Sequence, residues 1–274
     1  MTLDILICTF NKRIVRVPDL LQEPNPKVHY IISFQYNKPE ALDLIPDILL
    51  EREDVTLLRL EGSGLSENRN NALRAATADL VYFVDDDVRF LPTSFHTIFS
   101  VFKLYPEGID IALFQAQTYT GKDLRIYDSD EGPTDNFRDL LNVLTIEMVC
   151  RREKVQGSLS FDPRFGLSAP TLTCYEQQIW LEDALRRELK ICYVAQPIIQ
   201  TSAIYVPRMI SVDPSVQRSF GALLYYVYGT RAYLRAIGAA VSCAHRRFSH
   251  FLPILRHIYA GIAYIRSTPE KRNK

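Results

Sequence analysis

The chain has 274 residues, 47% of them apolar, with 32 basic and 32 acidic side chains and thirty aromatic residues. That supplies a sizeable core and excludes a disordered or fibrous chain. The net charge of zero conceals an asymmetry: residues 1–213 hold 22 Lys/Arg against 31 Asp/Glu, whereas residues 214–274 hold ten basic side chains and one acid, Glu270.

Taken in order, continuous β-rich apolar runs at 3–9, 28–34, 55–60, 80–84 and 109–114 predict strands. Segments of helical spacing at 39–50, 66–77 and 92–105 lie between them. Runs that are continuous rather than alternating mark parallel strands covered on both faces, which predicts a doubly wound α/β layer. Pro39 and Pro92 suit a first helical turn, and Ser66 reads as an N-cap with Glu67 favourable to the helix dipole. Residues 118–136 are polar and turn-rich and read as a long loop. Strand-like runs at 145–150 and 191–194 then flank a helix at 176–189. Five dispersed cysteines without C-x-x-C spacing read as reduced thiols, not as a disulfide frame or a zinc site. The five histidines form no ligand constellation.

The strongest chemical feature is Asp85-Asp86-Asp87, delivered by the apolar run 80–84. In an open parallel sheet, ligands bind at the carboxyl ends of strands. Three consecutive carboxylates repel one another, and no stabilising partner is evident in the sequence. A hard divalent cation would resolve the repulsion, and oxygen-only ligation suits Mg²⁺ or Mn²⁺. A solvated acidic turn is the bland alternative.

With the triplet in view, the chain resembles the family-2 glycosyltransferases and their GT-A fold, over roughly residues 3–205. Four pieces carry the resemblance in order: Thr9-Phe10-Asn11-Lys12 after the first strand; Gly64-Leu65-Ser66-Glu67-Asn68-Arg69-Asn70-Asn71-Ala72; the triplet where the family has D-x-D; and Phe161-Asp162-Pro163-Arg164-Phe165-Gly166-Leu167 with Glu176 after it. The resemblance implies a GT-A-like, mixed but mostly parallel sheet with a C-terminal helical extension. It implies a nucleotide-sugar donor, with Thr9 and Asn11 lining the base pocket and Arg69 near the nucleotide or its phosphates. Asp85 would contact the ribose and share the metal with Asp87, while Asp86 helps set the charge. Inversion at the anomeric carbon follows from the same resemblance.

Three departures qualify it. The acidic pair expected near the acceptor reads Glu176-Gln177, and a glutamine amide has no useful basicity. Glu176 is then the general base to expect, with Asp183, two turns along the same helix, in reserve. Where the family often has a metal-ligating histidine just after Pro197, the chain reads Ile198-Ile199-Gln200-Thr201-Ser202. Gln35 and Tyr36 stand where an acidic turn usually reads the base, so Gln35 becomes the candidate base contact. Two other readings stand beside the transferase. One is a catalytically silent nucleotide-sugar binder; the other is a phosphohydrolase of the haloacid-dehalogenase type, which also places D-x-D after a strand.

These features divide the chain into a transferase domain at 1–213 and a basic amphipathic extension at 214–274. Neither apolar segment of the extension reaches the ~18 uninterrupted residues of a spanning helix. Its expected partner is an anionic membrane surface, which suits a glycan or lipid-linked acceptor and a role in cell-surface or exopolysaccharide assembly. No recognised module accompanies the charge, so nucleic acid is not expected as a partner. With no basic leader ahead of the first strand, the expected location is cytoplasmic, peripheral on the inner face of the membrane.

Overall fold

A computed structural model describes residues 1–105, 108–202, 213–247 and 250–268. The last residues of the resemblance, 203–205, and the charged tail 270–274 lie outside the described residues. The chain forms two compact units: Met1–Ser63, Glu67–Ser160 and Asp183–Ile204 make the first, and Gly64–Ser66, Phe161–Glu182 and Tyr205–Lys274 the second.

The first unit holds one sheet. Its strands are β1 (Leu3–Phe10), β2 (Val28–Tyr36), β3 (Val55–Glu61), β4 (Leu80–Asp85), β5 (Val88–Phe90), β6 (Ile111–Thr118), β7 (Gly132–Pro133), β8 (Met148–Arg151) and β9 (Ile191–Thr201). The order is β3-β2-β1-β4-β8-β6-β9-β5, with β7 beside β9. β1 to β4, β6 and β9 run one way; the short β5, β7 and β8 run against them. The sheet is therefore mixed but mostly parallel. Its central strands are mostly apolar and buried, every residue of β1 from Leu3 to Thr9 and of β4 from Leu80 to Val84, whereas the edge strand β3 is only partly buried. Each such Ile or Leu contributes roughly 1.5–3 kcal/mol of burial. The buried exception, Asp4, accepts hydrogen bonds from the backbone N–H groups of Thr77 (2.6 Å) and Ala78 (2.8 Å), so it ties β1 to the turn that leads into β4.

The helices are α1 (Ile48–Glu51), α2 (Leu65–Ala75), α3 (Ser94–Leu104), α4 (Phe137–Leu140), α5 (Arg152–Val155), α6 (Glu176–Arg186), α7 (Pro214–Tyr228), α8 (Ala232–Arg247) and α9 (Phe251–Ser267). Several differ from the sequence expectation. The helix expected at 39–50 is a 3-10 segment, Pro39–Leu44, followed by α1. Pro46 forces extended backbone on Ile45, which breaks the run. Ser66 is no N-cap, because the helix already includes Leu65. Its hydroxyl instead donates to the Phe165 carbonyl at 2.7 Å. The run 145–150 begins as a 3-10 turn before β8, and the loop 118–136 contributes β7.

In the second unit α7 and α9 lie antiparallel and almost in backbone contact. A Cβ on Gly221 would fall 1.9 Å from the Ile258 carbonyl oxygen, and one on Gly261 1.8 Å from that of Arg218. Ala232, Ala236, Ala240 and Cys243 of α8 are buried in one apolar cluster with Ile254, Ile258 and Ile262 of α9. Among the described residues, no helix is long and apolar enough to cross a membrane.

Candidate functional site

β1 is the point where the strand order turns. The chain passes from β1 outward to β2 and β3, then returns to place β4 on the other side of β1. Such a reversal opens a crevice at the carboxyl ends of the parallel strands. Cys8 is paired with Asp85 across it, so Thr9 and the aspartate triplet follow directly at its mouth.

The three aspartates have different surroundings. Asp86 is 2% exposed, and its carboxylate is fully engaged. Thr9 Oγ1 donates to Oδ2 at 2.6 Å. Arg13 Nε donates to Oδ1 at 2.8 Å and to Oδ2 at 3.0 Å, and its Nη2 also reaches Oδ1. Asp87 is 37% exposed, and its Oδ2 accepts from Arg13 Nη2 at 3.0 Å. Asp85 is 43% exposed and meets Arg69 Nη2 at 3.3 Å through Oδ1. Desolvation raises the Asp85 carboxyl above its ordinary value; Arg69 opposes this, and Asp87 and Asp86 add to it. The expectation that the triplet lacks partners is thus corrected: Arg13, Arg69 and Thr9 neutralise and hold it.

The crevice is fixed from both sides. Asn11, at a left-handed φ of 48°, donates through Nδ2 to Asn37 Oδ1 at 2.9 Å and accepts from the Asn37 N–H at 3.1 Å, clasping the ends of β1 and β2. Asn68 Nδ2 donates to the Thr9 carbonyl at 3.1 Å. Gln35 is 4% exposed, and its carboxamide has no hydrogen-bond partner among the described residues. The loop after β6 reaches the triplet through Tyr119, whose hydroxyl donates to the Asp87 carbonyl at 2.5 Å. Buried Glu147 anchors that loop, accepting from Tyr127 at 2.5 Å and from Arg125 Nε at 3.1 Å.

Thr9, Arg69, Asp85, Asp86 and Asp87 therefore come together, with Asn11 and Gln35 at the neighbouring strand ends. Sequence reasoning missed Arg13, Asn37 and Tyr119, and gave Asn68 no role beyond its place in the 64–72 motif. For Arg13 a signal existed: a basic residue four positions past Thr9, on a segment entering at the end of β1. Tyr119 stands in a polar loop with no periodicity to mark it.

The other expected residues lie on α6. Glu176, its first residue, belongs to the second unit and is 6% exposed. Gly166, at φ +105°, makes room for it: a Cβ there would come within 3.4 Å of the Glu176 carboxyl and 3.2 Å of Ser66 Oγ. Within this unit, the segment 161–167 and Glu176 do meet. Asp183 belongs to the first unit and is half-buried.

Among the described residues no three His, Cys, Asp or Glu side chains are grouped to hold an ion by themselves. The triplet fits a different mode of binding. Asp85 and Asp87 each keep one carboxylate oxygen without a hydrogen-bond partner among the described residues, while Asp86 keeps none. Two hard oxygens at one strand end suit a small divalent cation whose remaining positions go to water and phosphate.

Among solved structures, residues 1–349 of S. aureus TarS match with a TM-score of 0.61 at 12% identity, covering 98% of this chain and 92% of that one. The same fragment in complex with UDP-GlcNAc gives 0.59 at 11% identity, covering 98% and 93%. Its complex with UDP gives 0.52 at 12%, covering 85% and 69%. At such identities the likeness establishes the fold, which is GT-A-like. A comparison with curated proteins finds no match. The family model described as glycosyl transferase family 2 matches residues 4–151, from β1 through β8 with Arg69 and the whole triplet inside it. By that match over more than half its length, the chain belongs to the family-2 glycosyltransferases.

Proposed function

We propose that this glycosyltransferase moves a sugar from a nucleoside-diphosphate sugar to an acceptor hydroxyl with inversion, in cell-surface or exopolysaccharide assembly. The observation that carries the donor reading is the division of labour in the triplet. Asp86 is locked into the protein, whereas Asp85 and Asp87 each keep an open oxygen at the switch point of the sheet. A divalent cation held there, Mg²⁺ or Mn²⁺, would act as a Lewis acid toward the leaving diphosphate. The unpartnered carboxamide of Gln35 offers a donor and an acceptor to the edge of a base. Uracil is the base we infer, because a structural neighbour binds UDP-GlcNAc. Arg69 holds Asp85 for the ribose. Glu176 takes the proton of the attacking hydroxyl, with Asp183 as second choice. Residues 1–213 supply the transferase domain; residues 214–274 dock it on an anionic membrane surface at the cytoplasmic face, near a glycan or lipid-linked acceptor.

The test is a thermal-shift panel of nucleoside diphosphates and UDP-sugars with Mn²⁺, on the native chain and on Asp87→Ala. At a hundredfold excess over Kd, a ligand adds about 2.7 kcal/mol of stability, several degrees in Tm. The expected result is a shift with UDP in Mn²⁺ that Asp87→Ala markedly reduces, accompanied by donor hydrolysis or transfer. No shift with any nucleotide, or an equal shift in the variant, overturns the donor reading. Binding with neither transfer nor hydrolysis would favour the silent binder.

A further inference from the structure

Arg13 does more at the triplet than the neutralisation of Asp86 requires. One edge of its guanidinium, Nε and Nη2, satisfies Asp86 and reaches Asp87. The side chain is nevertheless 42% exposed, and its Nη1 has no hydrogen-bond partner among the described residues. A guanidinium presents five N–H groups in a rigid fork that suits phosphate oxygens. Because Asp86 is buried and held a second time by Thr9, the fork is fixed in place rather than free to swing. A fixed positive group at the place where negative charge gathers is worth more than a mobile one, since it needs no reorganisation. The charge count works against a diphosphate, so affinity kept without a cation has to come from a directed group such as Nη1. Three aspartates face Arg13 and Arg69, leaving the site one formal negative charge before any diphosphate arrives. The stretch 198–202, directly after Pro197, also offers no histidine to strengthen the hold on a cation.

Resting on the donor reading above, we propose that Arg13 is a built-in diphosphate-binding residue. It stays on Asp86 and presents Nη1 to the phosphate oxygens, so a nucleoside diphosphate retains measurable affinity when the divalent cation is removed.

The experiment measures UDP affinity by calorimetry in Mn²⁺ and in EDTA, for the native chain, Arg13→Gln and Arg13→Lys. Uridine, followed by ligand-observed NMR, serves as the probe without phosphate. Native protein should bind UDP in EDTA, more weakly than in Mn²⁺. Arg13→Gln should lose at least tenfold of that metal-free affinity, Arg13→Lys less, and uridine binding should be unchanged in both. A structural role alone would weaken uridine as well. Arg13→Lys keeps a charge on Asp86 and serves as the folded comparison should Arg13→Gln not fold. Undetectable UDP binding by native protein in EDTA, or equal metal-free binding by the variants, overturns the inference while Mn²⁺-dependent binding leaves the donor reading standing. Absence of UDP binding in Mn²⁺ as well overturns the donor reading itself.

Discussion

Consecutive aspartates with one charge each do unlike work here, because burial and partners differ from one to the next. Asp86 lies in the protein with Thr9 and Arg13 on both oxygens; Asp87 stands more than a third exposed. Replacing a buried, fully bonded acceptor leaves its donors unsatisfied, at a cost of about 1–3 kcal/mol. We expect Asp86→Asn to lower the stability of the ligand-free protein by that amount. Asp87→Asn should stay within about 0.5 kcal/mol of native and yet lose the Mn²⁺-dependent part of its nucleotide affinity. Urea unfolding of both variants, set beside their UDP titrations, checks the separation; equal stability losses would refute it. At this scale the sequence was informative where chemistry is local. Three acids at a strand end declare a site by their repulsion alone. What quenches that repulsion was not legible, because Arg13 is separated from Asp86 by more than seventy residues and meets it only through the pairing of β1 with β4.

For elements, apolar continuity located β1 to β4 to within two residues, whereas β6 and β9 run four and seven residues beyond their expected ends, where polar residues interrupt the apolar run. The breaks were less legible. Pro46 divides the segment expected to be one helix, and the two-residue β7 has no pattern to read. Least visible were the glycines of α7 and α9, which in sequence look like ordinary weak points of a helix. In the fold they are contact surfaces. A methyl on Gly221 or Gly261 meets a carbonyl oxygen at under 2 Å, so the helices must separate. On α8, a Cβ on Gly238 meets nothing within 4 Å. Gly221→Ala and Gly261→Ala should therefore each destabilise by about 1–3 kcal/mol or more, as overpacking does. Gly238→Ala should stabilise by up to about 1 kcal/mol through helix propensity. Shifts of the urea midpoint with the same sign at all three positions would contradict the packing described.

Across the whole molecule the informative quantity is charge distribution, which neither a single residue nor one helix reveals. Acidic side chains outnumber basic ones by nine in residues 1–213, and basic outnumber acidic by nine in residues 214–274. On α8 the structure adds what composition lacked. Leu234 is 75% exposed, Ile237 40% and Val241 53%, spaced to share one face, with Arg235 exposed on the same helix and Arg231 exposed in the turn just before it. Apolar side chains in water beside arginines form the amphipathic pattern that settles into the headgroup region of anionic lipid, where each basic residue is worth about 1 kcal/mol. We expect the protein to co-sediment with vesicles containing phosphatidylglycerol, to do so less in high salt, and to ignore vesicles of phosphatidylcholine alone. Losing Arg231 and Arg235 to Gln should weaken binding by about thirtyfold, the equivalent of two such charges. Changing Leu234, Ile237 and Val241 to Ser should weaken it further without changing UDP binding. If the serine variant sediments with anionic vesicles as the native chain does, α8 is not the membrane face, and the basic charge of the extension has another partner.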